Sequence, residues 1–168
     1  MTKKKIIEDM QKRAEKFFCW TDGEYKYVCD GIRLYRDAEM PDVEFTKEQP
    51  RSIEYMFSDK KFVYNVDDAI YMDMEVLTKY LKSHRRPIIW RNDDAFIIEY
   101  KERQIGVNPW YLRDMLEYTK DNRLFFCKEK PERNPIYSVS EGFIVTQCLT
   151  LPVVLSESPN RKVDWRVA

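Results

Sequence analysis

Apolar residues near the start of the chain fall at Ile6, Ile7, Met10, Ala14, Phe17 and Phe18, mostly three and four apart, the repeat of one helix face. This spacing predicts an amphipathic helix over residues 3–18, with Thr2 as its N-cap and Lys3, Lys4, Lys5, Lys12, Arg13 and Lys16 on the polar side. Asp22-Gly23 marks a hairpin turn, and Asp30-Gly31 a second turn between strands at 25–29 and 32–35. From Asp37 to Pro50 the chain is acidic, interrupted by proline and without period, which predicts a surface loop. Residues 51–57 fit a short helix or a strand, and 62–65 a short strand.

Residues 69–72 read as a strand entering a helix over 74–83, with Val76, Leu77, Tyr80 and Leu81 apolar and Asp73 as N-cap; Arg85-Arg86-Pro87 ends it. Short strands follow at 87–91, 95–100 and 104–107, the first two joined by a turn at Asn92-Asp93-Asp94. Asn108-Pro109 opens a third helix, because Asn accepts the free N–H groups and Pro lacks the N–H that the first turn cannot use. Strands at 123–128, 135–139 and 143–149 complete the pattern, and a polar tail occupies 156–168. Helices followed by hairpin-linked strands predict an α+β fold, antiparallel sheets with amphipathic helices packed on one face. A single domain over 1–155 is expected, divisible into sub-repeats 1–66 and 67–155 that share a pattern and not residue identities.

Charge changes this picture little: Lys plus Arg and Asp plus Glu number 29 each, so only local clusters, not the whole chain, offer a polyanion a positive face. Cys19, Cys29, Cys127 and Cys148 form no C-x-x-C pair and His84 is the single histidine, a composition that points to reduced buried thiols rather than zinc or disulfides. No apolar run approaches the roughly 20 residues of a membrane span, and charges run throughout residues 6–18, so a soluble, cytoplasmic protein without a membrane partner is expected. Catalysis, a cofactor and a metal are not expected. There is no Gly-rich phosphate loop, His84 sits at a helix end beside two arginines, and Asp67-Asp68 and Asp93-Asp94 suit turns better than an ion.

Three segments carry a likeness to a known family. They are Cys29-Asp30-Gly31-Ile32-Arg33-Leu34, the run from Val107 through Asn108-Pro109-Trp110-Tyr111-Leu112-Arg113-Asp114-Met115 to Leu116, and Leu149-Thr150-Leu151-Pro152-Val153-Val154-Leu155. In order and spacing the chain resembles the bacterial DNA polymerase III beta sliding clamp: they are similar to its Thr-Asp-Gly-x-Arg-Leu, its Asn-x-x-Tyr-Leu-x-Asp-x-Leu helix opening and its terminal Met-Pro-x-Arg-Leu. The likeness covers residues 105–155 well and 27–36 loosely. Cys29 stands for Thr, Leu151 for Met and Val154 for Arg, and the chain has room for about one to one and a half of the family's three domains.

The resemblance implies a DNA-clamp-like fold and a groove that takes a linear peptide of a replication or repair protein, lined here by Gly31, Arg33, Leu34, Leu151, Pro152 and Val153. The plainer reading of those residues is a turn at Asp30-Gly31 and the end of a core strand at Leu151. The resemblance also implies a helical face toward duplex DNA, contacted through phosphates. Candidates are Lys3, Lys4, Lys5, Lys12, Arg13 and Lys16 on the first helix, Lys79, Lys82, Arg85 and Arg86 around the second, and Arg113, Lys120 and Arg123 around the third. Glu8, Asp9, Glu15, Glu75, Asp114 and Glu117 are interspersed, as on an ordinary solvated face. Two classes of function follow: a clamp-like processivity-related module, of a mobile element or phage, or a clamp fold reused as a structural or inhibitory interaction protein without DNA contact. Homo-oligomerisation through edge strands is open to either.

Overall fold

A computed structural model describes residues 1–45, 54–57, 63–64, 66–87, 94–140, 146–153 and 155. The expected strand at 87–91, the first two residues of its turn, residues 143–145 and the tail lie wholly or largely outside these. Helix α1 spans Lys3–Arg13, and Thr2 Oγ1 accepts the Lys5 N–H at 3.3 Å, as expected of an N-cap. It stops earlier than the apolar spacing predicts. Ala14 turns to an extended conformation because Phe17 and Phe18 are claimed by the sheet, Phe17 facing the helices and Phe18 the opposite side. Apolar residues at positions 17 and 18 fit a helix face and the two faces of a strand equally well, and tertiary packing decides between them.

The strands are β1 Phe18–Thr21, β2 Lys26–Cys29, β3 Arg33–Asp37, β4 Ile70–Tyr71, β5 Phe96–Tyr100, β6 Arg103–Val107, β7 Arg123–Phe126, β8 Ile136–Val139 and β9 Thr146–Thr150. Helix α2 is Met74–Ser83, α3 is Pro109–Thr119, and a 3-10 turn covers Glu54–Phe57. Seven strands form one antiparallel sheet in the order β1-β2-β3-β9-β8-β7-β4, and β5 with β6 makes a separate hairpin. A helix followed by three strands occurs twice, as α1 to β3 and as α3 to β9. The two runs meet in the β3–β9 pair, so α-β-β-β is repeated outward from the middle of the sheet. Strand β4, helix α2 and the hairpin come between them in the chain.

Both faces of the sheet are covered, so its strands do not alternate simply between oil and water. On one face Ile6, Ile7, Met10, Leu77, Leu112 and Met115 from all three helices pack on Val28, Tyr35, Phe126, Ile136 and Cys148. On the other, Tyr27, Leu34, Phe125, Tyr137 and Leu149 lie beneath Met56, Phe57 and Tyr64. All four cysteines are buried and none is in a disulfide. Two turns use glycine for its conformation, Gly23 at φ 94° and Gly31 at φ 91°. A Cβ on Gly31 would meet nothing within 4 Å, so Gly31→Ala should cost only backbone strain, about 1–2 kcal/mol. Urea denaturation of the variant checks this.

Candidate binding notch and the charges behind it

Strand β3 pairs with β9 in the register Arg33↔Thr150 and Leu34↔Leu149. One residue further, the Leu151 N–H donates to the Ile32 carbonyl at 3.0 Å, which sets the Gly31 turn beside the Leu151-Pro152 segment. The turn is shaped by Asp30, whose Oδ1 accepts the N–H groups of Ile32 at 3.0 Å and Arg33 at 2.6 Å. Ile32 is 44% exposed and Leu151 36%, while Pro152 and Val153 are half-buried. Ile32 and Leu151 thus present neighbouring exposed apolar side chains at the end of the central strand pair, the place of the candidate notch.

Two residues expected in this notch do not line it. Arg33 and Leu34 are 1% and 2% exposed, because successive side chains on β3 enter opposite faces of a sheet that is covered on both sides. Ile32, which does line it, was absent from the expected set. Its signal was the middle position of the Asp30–Arg33 turn, where a side chain points to solvent.

Arg33 instead anchors the turn from inside. Its Nε donates to Asp30 Oδ2 at 2.8 Å and its Nη1 to Asp114 Oδ2 at 3.3 Å, and its guanidinium lies 3.8 Å from the Tyr111 ring centroid. Burial works against the Arg33 charge, but Asp30, Tyr35 and Asp114 outweigh it and hold the proton more tightly than usual. Asp114 accepts on its other oxygen from Arg113 Nη2 at 2.9 Å. Two positions beyond Tyr35, the fully buried Asp37 accepts from Lys3 Nζ at 2.8 Å, the Tyr118 hydroxyl at 2.9 Å, Thr146 Oγ1 at 3.2 Å and the Glu39 N–H at 2.9 Å. Lys3 is therefore turned inward, toward the core, rather than outward with the other lysines of α1. By sequence Asp37 opens an acidic, aperiodic stretch, and nothing local distinguishes it from the carboxylates that follow.

The basic candidates share the helix side but not one site. Lys5, Lys12, Arg13, Arg86 and Arg113 border an open cleft of about 440 Å³ with Glu8 and Asp9. Asp9 bridges Arg13 at 3.0 Å and Arg86 at 3.4 Å, and burial followed by the nearby Arg13 lowers the proton affinity of Arg86. Lys4 stands 4.0 Å from Glu8. Lys79 and Lys82 border a separate depression with Glu75, and Lys120 lies in a third with Arg123, which Asp121 holds at 2.7 Å. Lys16 and Arg85 are exposed beyond the ends of their helices. His84 caps α2, stacked on Tyr80 at 3.9 Å with its Nδ1 2.7 Å from the Tyr80 carbonyl oxygen. Asp68 pairs with Lys101 at 2.5 Å, and Asp93 lies outside the described residues. Among the described residues no group of acidic, histidine and cysteine side chains is disposed to hold a metal, and no helix is long and apolar enough to cross a membrane.

Compared with known proteins, the chain matches no family model, no curated protein and no solved structure.

Proposed function

We propose that this chain is a clamp-like binding protein, related to the processivity factors of DNA replication or repair, that takes a linear peptide of a partner at the notch. The observation that carries this reading is the hydrogen bond from Leu151 to Ile32. It sets two exposed apolar side chains side by side on backbone that Asp30 and the buried Arg33 make rigid. A preorganised apolar ledge suits Leu or Phe anchors of an extended peptide, because little ordering cost falls on the receptor. Ile32, Leu151, Pro152 and Val153 are assigned the contact surface, and Asp30, Arg33 and Asp114 the support. In fluorescence anisotropy, labelled peptides with adjacent Leu and Phe anchors should bind. Ile32→Glu and Leu151→Glu should each weaken binding at least about tenfold, a loss of about 1.4 kcal/mol, at nearly unchanged Tm. Absence of binding near about 1 mM, or equal binding by the variants, would remove this reading.

Charge distribution favours a second contact. Helix α1 alone carries five basic and two acidic side chains in a chain of zero net charge, and α2 exposes Lys79 and Lys82 on the same side of the sheet. Duplex DNA would meet Lys5, Lys12, Lys79 and Lys82 through phosphates, independently of sequence and with steep salt dependence. A labelled duplex should bind the wild type at low salt and the Lys5→Glu/Lys12→Glu variant several-fold more weakly. A chain that ignores duplex at low salt is the interaction protein without DNA contact.

A further inference from the structure

Arg86 and Arg113 are brought together by the fold, not by the sequence. Arg86 follows the end of α2 and Arg113 stands on α3, and both border the cleft of about 440 Å³ whose other cations, Lys5, Lys12 and Arg13, lie on α1. The two arginines make its floor. Their side chains are 20% and 25% exposed, whereas Lys5, Lys12 and Arg13 stand exposed at the rim. Carboxylates hold the guanidiniums in place. Asp114 accepts from Arg113 Nε at 3.2 Å and Nη2 at 2.9 Å, and Asp9 accepts from Arg13 Nε at 3.0 Å and Arg86 Nη1 at 3.4 Å. A guanidinium is a rigid fork of five donors, so one or two such bonds fix its plane while engaging only part of the fork.

The charges around the cleft do not balance. Among the described residues five cations line it with two carboxylates, Glu8 and Asp9, a surplus of three. The layer beneath returns one negative charge, because Arg33 is set against both Asp30 and Asp114, so two positive charges remain in excess. Arg86 registers this excess. Burial, and then Arg13, lowers its hold on its proton, although Asp114 and Asp9 pull the other way.

Shape distinguishes this cleft from a surface that merely attracts polyanions. A duplex is convex and meets exposed lysines through its phosphates, but it rides over guanidiniums that are three-quarters buried or more. A compact anion can enter. Arginine forks match phosphate oxygens two at a time, and lysines add point charges. Cations that converge from three elements suit a ligand whose own charges are several and close together.

We propose that the cleft between α1, α3 and the residues following α2 binds a compact polyphosphate group, either an inorganic chain or the phosphates of a nucleotide. Arg86 and Arg113 grip the phosphates from the floor, and Lys5 and Lys12 meet them at the rim. The site does not rest on the peptide-binding role of the notch. It shares Lys5 and Lys12 with the duplex contact, but not the two arginines.

The test is calorimetric titration of the full chain with sodium tripolyphosphate at low salt. One site with Kd below about 1 mM is expected, at least about tenfold tighter than orthophosphate. Arg86→Gln and Arg113→Gln should each weaken it about tenfold. Lys79→Gln/Lys82→Gln, altered in a separate depression, should leave it unchanged and weaken only duplex binding. Because the arginines also hold Asp9 and Asp114, a second measurement uses unaltered protein: tripolyphosphate should shift the NMR signals of the Arg86 and Arg113 Nε–H groups. Adenosine triphosphate, titrated in parallel, assigns the source. Tighter binding than tripolyphosphate means a nucleotide, and equal or weaker binding means the phosphate chain alone. A chain that binds tripolyphosphate and ignores duplex keeps this site and loses the DNA contact. The inference is overturned if tripolyphosphate binds no better than orthophosphate, if Lys79→Gln/Lys82→Gln weakens it as much as Arg86→Gln, or if the arginine signals do not move. An oligoglutamate peptide that displaces tripolyphosphate at equal charge would overturn it as well, and would assign the cleft to an acidic peptide.

Discussion

Asp37→Ala is expected to destabilise the fold by about 3–5 kcal/mol, a large fraction of what a domain of this size has. Asp37 is completely buried and is the shared acceptor for Lys3, Tyr118, Thr146 and the Glu39 amide. Truncation strands all four donors. Lys3 is partly exposed and can swing to water, but the Tyr118 hydroxyl and Thr146, both on buried residues, cannot, and each unsatisfied group costs about 1–3 kcal/mol. Asp37→Asn keeps an acceptor oxygen and should lose less. Urea unfolding at neutral pH separates the two variants, and an Asp37→Ala protein within about 1 kcal/mol of wild type would contradict the ranking.

Raising the pH from about 10 to 12 should unfold the chain in one cooperative step. Burial, then the Asp22 carboxylate, pushes the Tyr27 phenol up to about 12, and burial pushes the Cys127 thiol up to about 11. Tyr35, Tyr118, Tyr137 and Cys148 are driven further in the same direction, each chiefly by burial. The folded state keeps these groups neutral, whereas the unfolded chain releases thiol protons near 9.0 and phenol protons near 10.0. Their contribution is therefore fully present below those values and drains away as the pH rises toward the folded-state values, because the unfolded chain then binds fewer protons. Phenolate absorbance and far-UV circular dichroism should change together. Phenolate absorbance that grows gradually while the dichroism stays intact would show that these side chains titrate within the fold.

Elements whose signals are local were readable from the residues alone. Helix α2 spans the predicted 74–83, with Asp73 accepting from the Glu75 and Val76 N–H groups, and Asn108 caps α3 with Pro109 in the first turn. The glycines of the two early turns take the positive φ that their Asp-Gly sequences suggest. Elements decided by distant partners were not. The end of α1 depends on what the sheet does with Phe17 and Phe18. The short β1 has nothing to distinguish it until β2 pairs with it. For the candidate site, the likeness brought together the Gly31 turn and the Leu151 segment, which the Leu151–Ile32 hydrogen bond joins. Which side chains face outward there depends on the covering of both faces of β3, a property of the assembled layers.

The inner face of β3 carries a cation at Arg33 and an anion at Asp37, and α3 answers in the same order with Asp114 and, one helical turn later, the hydroxyl of Tyr118. The greasy contacts between this helix and the sheet would tolerate reversal, since methyl groups have no preferred direction. Laid end for end, however, α3 would press Asp114 toward Asp37, two like charges in a dry interior competing for one lysine, and leave Arg33 facing a phenol. The polarity of the central helix, a binary choice that oil alone leaves undecided, is thus set by four polar side chains.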